Sequence, residues 1–341
     1  MEELIVLKQL FSNLPDNKKQ EFLASIQSEI SLTEPSELIN AMPTSCPHCG
    51  GIHIKKNGKV NGIQRYICKD CHKTFGNTHK TILKSSKKDL ATWKLYVHCM
   101  VEKYSLRKCA QKCNISLPTA FAWRHKILDA LQNMMAEVNL NGVVEADETF
   151  TQISYKGNHK SFKLPRKSFK RGSKASKRGL SKEKVCIPCG INLNGMSIAK
   201  ISNLGKPKWT DIQNVLGGRI EKGSILVTDS FRGYQKISYD MNLEHIRIPR
   251  NKHQNGIFNI QLLNNYHSQL KGMINIRFKG VATKYLNNYL VYHNFVNFAK
   301  ETENEKKDIL FRFIQKTLCI SKTCDIRKRC AIPVLSDYSE V

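Results

Sequence analysis

The sequence predicts a multidomain α/β protein: a mixed β-sheet with helices, preceded by a small metal-bound module and a helical segment. Three observations carry that prediction. Two Cys-x-x-Cys pairs stand eighteen residues apart in the N-terminal quarter. Helical periodicity runs through residues 88–138. From Val143 strand-like runs alternate with helical ones to about residue 300.

At 341 residues and 40% hydrophobic content, the chain can hold two or three domains with real cores. Its formal net charge is +27, from 55 Lys and Arg against 28 Asp and Glu. An excess of that size reads as the footprint of a polyanion, foremost nucleic acid. No run of about 18 apolar residues exists to span a membrane. The opening "MEELIVLKQLFSNLPD" has acids where a signal peptide needs cations. A cytoplasmic, nucleoid-associated location is therefore expected. In that setting the twelve cysteines read as metal ligands and reduced thiols, not disulfides.

Residues 1–40 read as an N-terminal helical segment, with Leu4, Leu7, Leu10 and Phe11 on one face and Phe22, Leu23 and Ile26 after a break at Pro15. Residues 41–82 are expected to form a zinc ribbon. Cys46, Cys49, Cys68 and Cys71 have the spacing that sets four thiolates tetrahedrally around Zn²⁺. A hairpin between the pairs would turn at Asn61-Gly62, the dipeptide favoured in two-residue β-turns. So small a segment has little core, and the metal would supply most of its folding energy. Lys55, Lys56, Lys59 and Arg65 make DNA contact plausible, and four sulfurs leave His48 and His72 as bystanders. A further pair, Cys186 and Cys189, has no partner pair at ribbon distance and reads as buried thiols on a core strand. Cys319, Cys324 and Cys330 follow no ligand spacing.

Residues 83–138 read as a helix-turn-helix segment. Ser105 is an N-cap, Leu106, Cys109, Ala110 and Cys113 form an apolar stripe, "NIS" turns, and Pro118 opens a second helix. With Ile127 and Leu128 facing inward, Thr119, Trp123, Arg124, His125 and Lys126 are left for solvent or DNA, as on a recognition helix. A helical hairpin with no DNA partner is the plainer alternative.

Residues 139–300 read as the catalytic domain. Asp147 falls near the end of the strand in "NGVVEADETF", with Glu145 and Glu148 beside it, and Asp229 closes the strand in "SILVTDS". An unpaired carboxylate against an apolar strand is costly to bury, so each acid calls for a partner. Between them residues 151–184 carry twelve Lys and Arg against one acid, a loop suited to phosphates, with Lys170 and Arg171 as candidate contacts. The element order is three consecutive strands, then helix, strand, helix, strand. That is the connectivity of a ribonuclease-H-like mixed sheet, in which the first and fourth strands are neighbours. Asp147 and Asp229 would then converge, and a pair of divalent ions between carboxylates is the apparatus of in-line phosphoryl displacement. Residues 301–341 read as a C-terminal helical tail.

With these residues in view, the chain resembles bacterial insertion-sequence transposases with a DDE-type domain, of the class called ISXO-two-like. The resemblance rests on the ribbon cysteines, "GVVEADETF", "ILVTDSFRGY" and "NIQLLNNYHSQLKGMINIRFKGVATKYLNNYLVYHNF", covering about residues 45–298. It implies a third metal-site residue on a helix after the last strand, followed seven positions later by a lysine. Asn264 and Lys271 hold those places, with asparagine where the family has glutamate. An amide oxygen can ligate Mg²⁺ but brings no charge and cannot act as a base. His267 is a rival third ligand.

The function expected is that of a transposase. It would bind the terminal inverted repeats of its element and catalyse Mg²⁺- or Mn²⁺-dependent strand cleavage and transfer, with double-stranded DNA as partner and a homo-oligomer on DNA. A DNA-binding regulator or inactive domesticated transposase is one alternative, and a nuclease of the same fold another.

Overall fold

In the computed structural model the described residues are 15, 18–20, 42–60, 63–158 and 179–333. The N-terminal helical segment, the Asn61-Gly62 turn and Lys170 and Arg171 of the basic loop lie outside them, apart from Pro15 and a helical stretch at 18–20.

The first unit is a three-stranded antiparallel sheet of β1 (Ile54–Val60), β2 (Ile63–Cys68) and β3 (Thr74–Phe75). Along β2 every second residue, Gln64, Tyr66 and Cys68, points inward. The core is small: Cys46, Tyr66, Cys68 and Phe75, with Ile54 and Cys71 against them. On β1, Lys55, Lys56 and Lys59 are exposed.

Three helices follow: α1 (Leu90–Val101), α2 (Leu106–Lys112) and α3 (Leu117–Ala136). Each starts where a side chain can satisfy a free backbone N–H. Asp89 accepts from Thr92, Ser105 from Lys108 and Ser116 from Thr119, with Pro118 in the first turn of α3.

The central sheet has five strands in the order β6-β5-β4-β7-β8. They are β4 (Val143–Gln152), β5 (Lys184–Asn192), β6 (Ser197–Ala199), β7 (Ile225–Thr228) and β8 (Glu244–Arg247). β4, β5 and β6 are antiparallel neighbours, whereas β7 joins β4 in parallel and β8 joins β7 in parallel. Parallel pairs need crossovers, supplied by α4 (Trp209–Leu216) and α5 (Gly233–Asp240). These two helices cover one face, their Ile212, Leu216, Tyr234 and Ile237 joining one core with Leu140, Val144, Ala146 and Leu226.

A short hairpin, β9 (Gln254–Asn255) with β10 (Phe258–Asn259), leads into α6 (Gln261–Gly272) on the opposite face. α6 runs into a π-turn at Met273–Arg277, and α7 (Leu286–His293), α8 (Glu303–Lys316) and α9 (Thr323–Lys328) follow. Here the sheet's Val185, Ile187, Cys189 and Ile191, with Leu263 and Leu270 of α6, join one apolar core with α1, α3, α7 and α8. Cys186 and Cys189 are both fully buried on β5, on opposite faces because they are three residues apart. Among the described residues no helix is long and apolar enough to cross a membrane.

Candidate active site

The register of β4 on β7 places the two aspartates. Glu145 pairs with Val227 and Ala146 with Thr228, so continuing the register brings Asp229, the residue just past the end of β7, beside Asp147, which lies in the middle of β4 and not near its end as expected, because β4 runs on to Gln152 against β5. Asp147 pairs with Cys189 on its other side and shares the α6 face with Glu145. Asp229 Oδ1 accepts a 2.8 Å hydrogen bond from the Phe231 N–H, which fixes its carboxylate at the turn after β7. The Thr228 hydroxyl, beside it, donates to the Asp229 carbonyl at 2.9 Å.

Burial raises the Asp147 pKa to about 6; the Asp229 charge adds to the rise, and the Lys271 ammonium opposes it. Glu148, on the opposite face, is raised further. Burial first, then the Asp147 charge, push it to about 7. Its Oε1 is buried without a hydrogen-bond partner, and the Tyr234 hydroxyl faces it without closing a bond of ordinary geometry. Three carboxylates thus repel one another in a partly dry place, with Lys271 the cation that acts on Asp147. Asp147 and Asp229 offer oxygen donors of the kind a divalent ion prefers, and such an ion would relieve their repulsion; Glu148, on the opposite face, stands outside that pair.

Glu145 has a different task. α6 has no side-chain cap of its own. The Leu263 N–H in its first turn donates instead to Glu145 Oε2, at 2.8 Å. A buried carboxylate at a helix N-terminus satisfies a free donor and meets the positive end of the helix dipole. Glu145 therefore ties α6 to the strand that carries Asp147. Lys271 lies eight residues beyond Leu263, about 12 Å along the axis, and helical side chains lean back toward the N-terminus. Asp147 lies about 7 Å along β4 from Glu145, which brings the two charges within electrostatic reach.

Asn264 and His267 share the α6 stripe of Lys271. Asn264 is exposed. His267 is 7% exposed, with Nε2 unpartnered among the described residues, and burial together with Lys271 holds its pKa down at about 4. The structure brings together Asp147, Asp229 and Lys271, and it ties neither Asn264 nor His267 to the carboxylates. The sequence placed Glu145 and Glu148 nearby without a role. An acid two residues before Asp147 on the same strand face was the available signal for Glu145.

The four ribbon cysteines form the one compact ligand group among the described residues, with all four sulfurs within 4.8 Å of one another. Cys46 and Cys71 Sγ stand 3.7 Å apart, as do Cys49 and Cys68 Sγ. Four sulfurs at about 2.3 Å from a tetrahedral Zn²⁺ would be about 3.8 Å apart, so the cage fits that ion. Burial raises the Cys46 pKa, but N–H donors from His48 and Cys49 outweigh it and hold the thiol at about 7, whereas at Cys49 the Gly51 N–H lowers the pKa but the neighbouring thiols push it up to about 12.

The helix-turn-helix expectation needs correction at three residues, Trp123, Arg124 and His125. Trp123 is 6% exposed and stacks on Trp93 at 3.7 Å. Arg124 is fully buried; its guanidinium donates to the Tyr104 carbonyl at 2.7 Å and lies over the Phe278 ring. Neither faces DNA, and His125 is buried with them. α3 is enclosed by α2, α7 and α8, so its inward surface is wider than one apolar stripe. Thr119, in the exposed first turn, and Lys126 remain partly accessible.

Residues 139–296 match the family model described as the ISXO2-like transposase domain. An uncharacterized protein in transposable element ISH50 of Halobacterium salinarum (strain ATCC 700922 / JCM 11081 / NRC-1) is 29% identical over 116 residues. That match covers 34% of this chain and spans about two fifths, 39%, of the relative. Among solved structures, a pre-cleavage Mos1 transpososome is 8% identical at a TM-score of 0.24, covering 66% of this chain and 79% of that one. A Mos1 mariner paired end complex with Mn is 11% identical at 0.25, covering 68% and 76%. Superpositions that loose carry no weight here. The match stands without them: residues 139–296 are similar to an ISXO2-like transposase domain, and the two aspartates lie within that stretch.

Proposed function

We propose that this chain is an active transposase that cleaves DNA at the terminal inverted repeats of its element and joins the freed 3′-OH to a target. The observation that carries the proposal is Asp147, in the middle of β4, beside Asp229 just past the end of the parallel strand β7, with the Lys271 ammonium of α6 near enough to act on Asp147. The strand order and crossovers support a ribonuclease-H-like reading of the sheet.

In this reading Asp147 and Asp229 hold divalent metal, with Asn264 or His267 as third ligand. Bound there, Mg²⁺ or Mn²⁺ supplies Lewis acidity to the attacking and leaving oxygens of the phosphodiester. Lys271 balances charge at Asp147 and offers an ammonium to a non-bridging phosphate oxygen. Glu145 holds α6, and so Lys271, in register with β4. The ribbon carries Zn²⁺ and presents Lys55, Lys56 and Lys59 to the backbone of duplex DNA. The first turn of α3, with Thr119, supplies the exposed part of the helical segment. Lys170 and Arg171 add phosphate contacts from the basic loop. A homo-oligomer, at least a dimer, would bring two element ends together.

Incubation with element-end duplex and Mg²⁺ tests the proposal. Nicked and joined strands are expected, with Asp147→Ala abolishing both products while the fold is retained. Cleavage without joined product would make the protein a nuclease. Binding with no cleavage would make it a DNA-binding descendant, the reading that the exposed, uncharged Asn264 favours.

A further inference from the structure

Away from the carboxylates, a cavity of about 860 Å³ opens where the start of α2, the middle of α3, the chain after β4 and the 277–285 stretch meet. Its volume lies in the range that holds a small ligand. No acid lines it. Phe121 and Phe278 stand half-exposed on its walls, over the buried rings of Tyr285 and Tyr289. Phe121 meets Tyr285 edge-on at 5.7 Å and Phe278 meets Tyr289 at 5.1 Å, so both outer rings are braced from behind.

The cations divide into two kinds. Lys284 and Lys156 are spent on structure: Lys284 Nζ donates to Asn158 Oδ1 at 2.9 Å, and Lys156 Nζ to the Lys279 carbonyl at 2.8 Å. Arg107, Lys279 and Arg327 are exposed, and among the described residues no side-chain hydrogen bond or ion pair engages them. One more group has no partner. His125, 1% exposed, lines the cavity with Nδ1 unbonded, and burial first, then the nearby Arg329 and Arg124 charges, hold its pKa at about 3. A neutral imidazole can donate or accept one hydrogen bond, as the edge of a base requires.

Braced aromatic faces beside uncommitted cations are the parts of a site for unpaired nucleic acid, where the base stacks and the phosphate pairs. The cavity also adjoins the catalytic face: α6 carries Lys271, and six residues on, roughly 9 Å along the axis, Arg277 enters the cavity wall. We propose that the cavity takes one unpaired nucleotide of a DNA strand, its base against Phe121 and Phe278 and its phosphates against Arg107, Lys279 and Arg327. The transposase reading explains how such a strand comes to lie there; the binding itself needs neither metal nor Asp147.

The test uses the full-length, zinc-loaded protein without added Mg²⁺ and probes carrying 2-aminopurine: a single strand, a duplex with the probe base bulged out, a fully paired duplex and the free mononucleotide. Tighter binding and stronger quenching are expected for the unpaired probes than for the paired duplex. Phe278→Ala is expected to weaken them roughly 5- to 150-fold, the range for one stacked base, while the paired duplex is unaffected. Because Phe278 also packs in the core, Arg107→Ala with Lys279→Asn, both at the surface, is measured in parallel and is expected to weaken the unpaired probes and lower their salt dependence. Asparagine suits position 279, whose φ is +53°. Wild-type affinity for the unpaired probes in these variants overturns the inference, as does free mononucleotide binding as tightly as the strand. A cleavage assay that fails while these probes behave as expected removes the transposase reading and leaves the cavity assignment standing.

Discussion

Removing zinc should unfold the ribbon and little else. The ribbon buries only two large apolar side chains, Tyr66 and Phe75, beside two of its own ligand cysteines. Burial of those rings contributes about 2–3 kcal/mol each. A structural zinc site contributes about 10–16 kcal/mol near neutral pH, so the metal outweighs the apolar core roughly two- to fourfold. The ribbon core is a cluster apart from the core that joins α1, α3 and the sheet, and of the three ribbon strands only Ile63 of β2 packs against that larger core. The assay is hydrogen exchange with and without a zinc chelator, read on β1 and β2 and, as a control, on β4 and β5. The account expects ribbon amides to lose protection and the central sheet to change by less than about 1 kcal/mol. Full ribbon protection after verified zinc removal would refute it. So would equal loss of protection in β4, which would mean that the two units fold as one.

Other outcomes follow from particular residues. Arg124→Met should leave DNA affinity unchanged and cost less than about 2 kcal/mol, because an enclosed cation with no carboxylate partner can be exchanged for apolar volume at little loss; calorimetry and a binding isotherm check it. His98, His125 and His293 are held neutral by burial, with pKa values of about 4, 3 and 3. Their folded pKa values lie below the unfolded one, so acidification protonates the unfolded chain first and stability falls below about pH 6.5. Each removes roughly 2 kcal/mol between pH 7 and 5; Asp147 and Glu148, whose raised pKa values act with the opposite sign, return about half of the total. Midpoints of urea unfolding should fall across that interval, and a flat profile would contradict the burial argument. Gly195→Ala should cost at least about 2 kcal/mol in thermal unfolding, since φ there is +81° and an added Cβ would stand 2.5 Å from the Phe298 carbonyl oxygen.

Much of this arrangement is legible in the sequence because local chemistry and global placement agree. The ribbon spacing, the cap at Ser105, Pro118 in the first turn of α3, and the alternation of strands and helices after Val143 each reappear in the structure. Asp147 and Asp229 could be paired before any coordinates because strand order alone makes β4 and β7 neighbours. What sequence could not carry was the enclosure of α3. Periodicity finds one apolar stripe, and nothing local says that Trp93, Tyr104 and Phe278 close around Trp123 and Arg124. Arginine was assigned to solvent by its charge and instead lies in the core, donating to a backbone carbonyl 20 residues away. Glu145 was missed for a related reason: its partner, Leu263, lies 118 residues later and offers only a backbone N–H, which leaves no mark in a sequence. The aromatic cavity likewise gathers residues from five distant segments.

The shared divalent site on β4 and the end of β7 is tested most directly by titrating Mn²⁺ calorimetrically into the zinc-loaded protein and into Asp147→Asn and Asp229→Asn. Saturable binding in the wild type, weakened at least tenfold by either substitution while the fold persists, is the result expected of two carboxylates that hold one metal centre. Binding that neither substitution alters would mean that these two aspartates hold no metal, and the chemistry proposed for them would have no site.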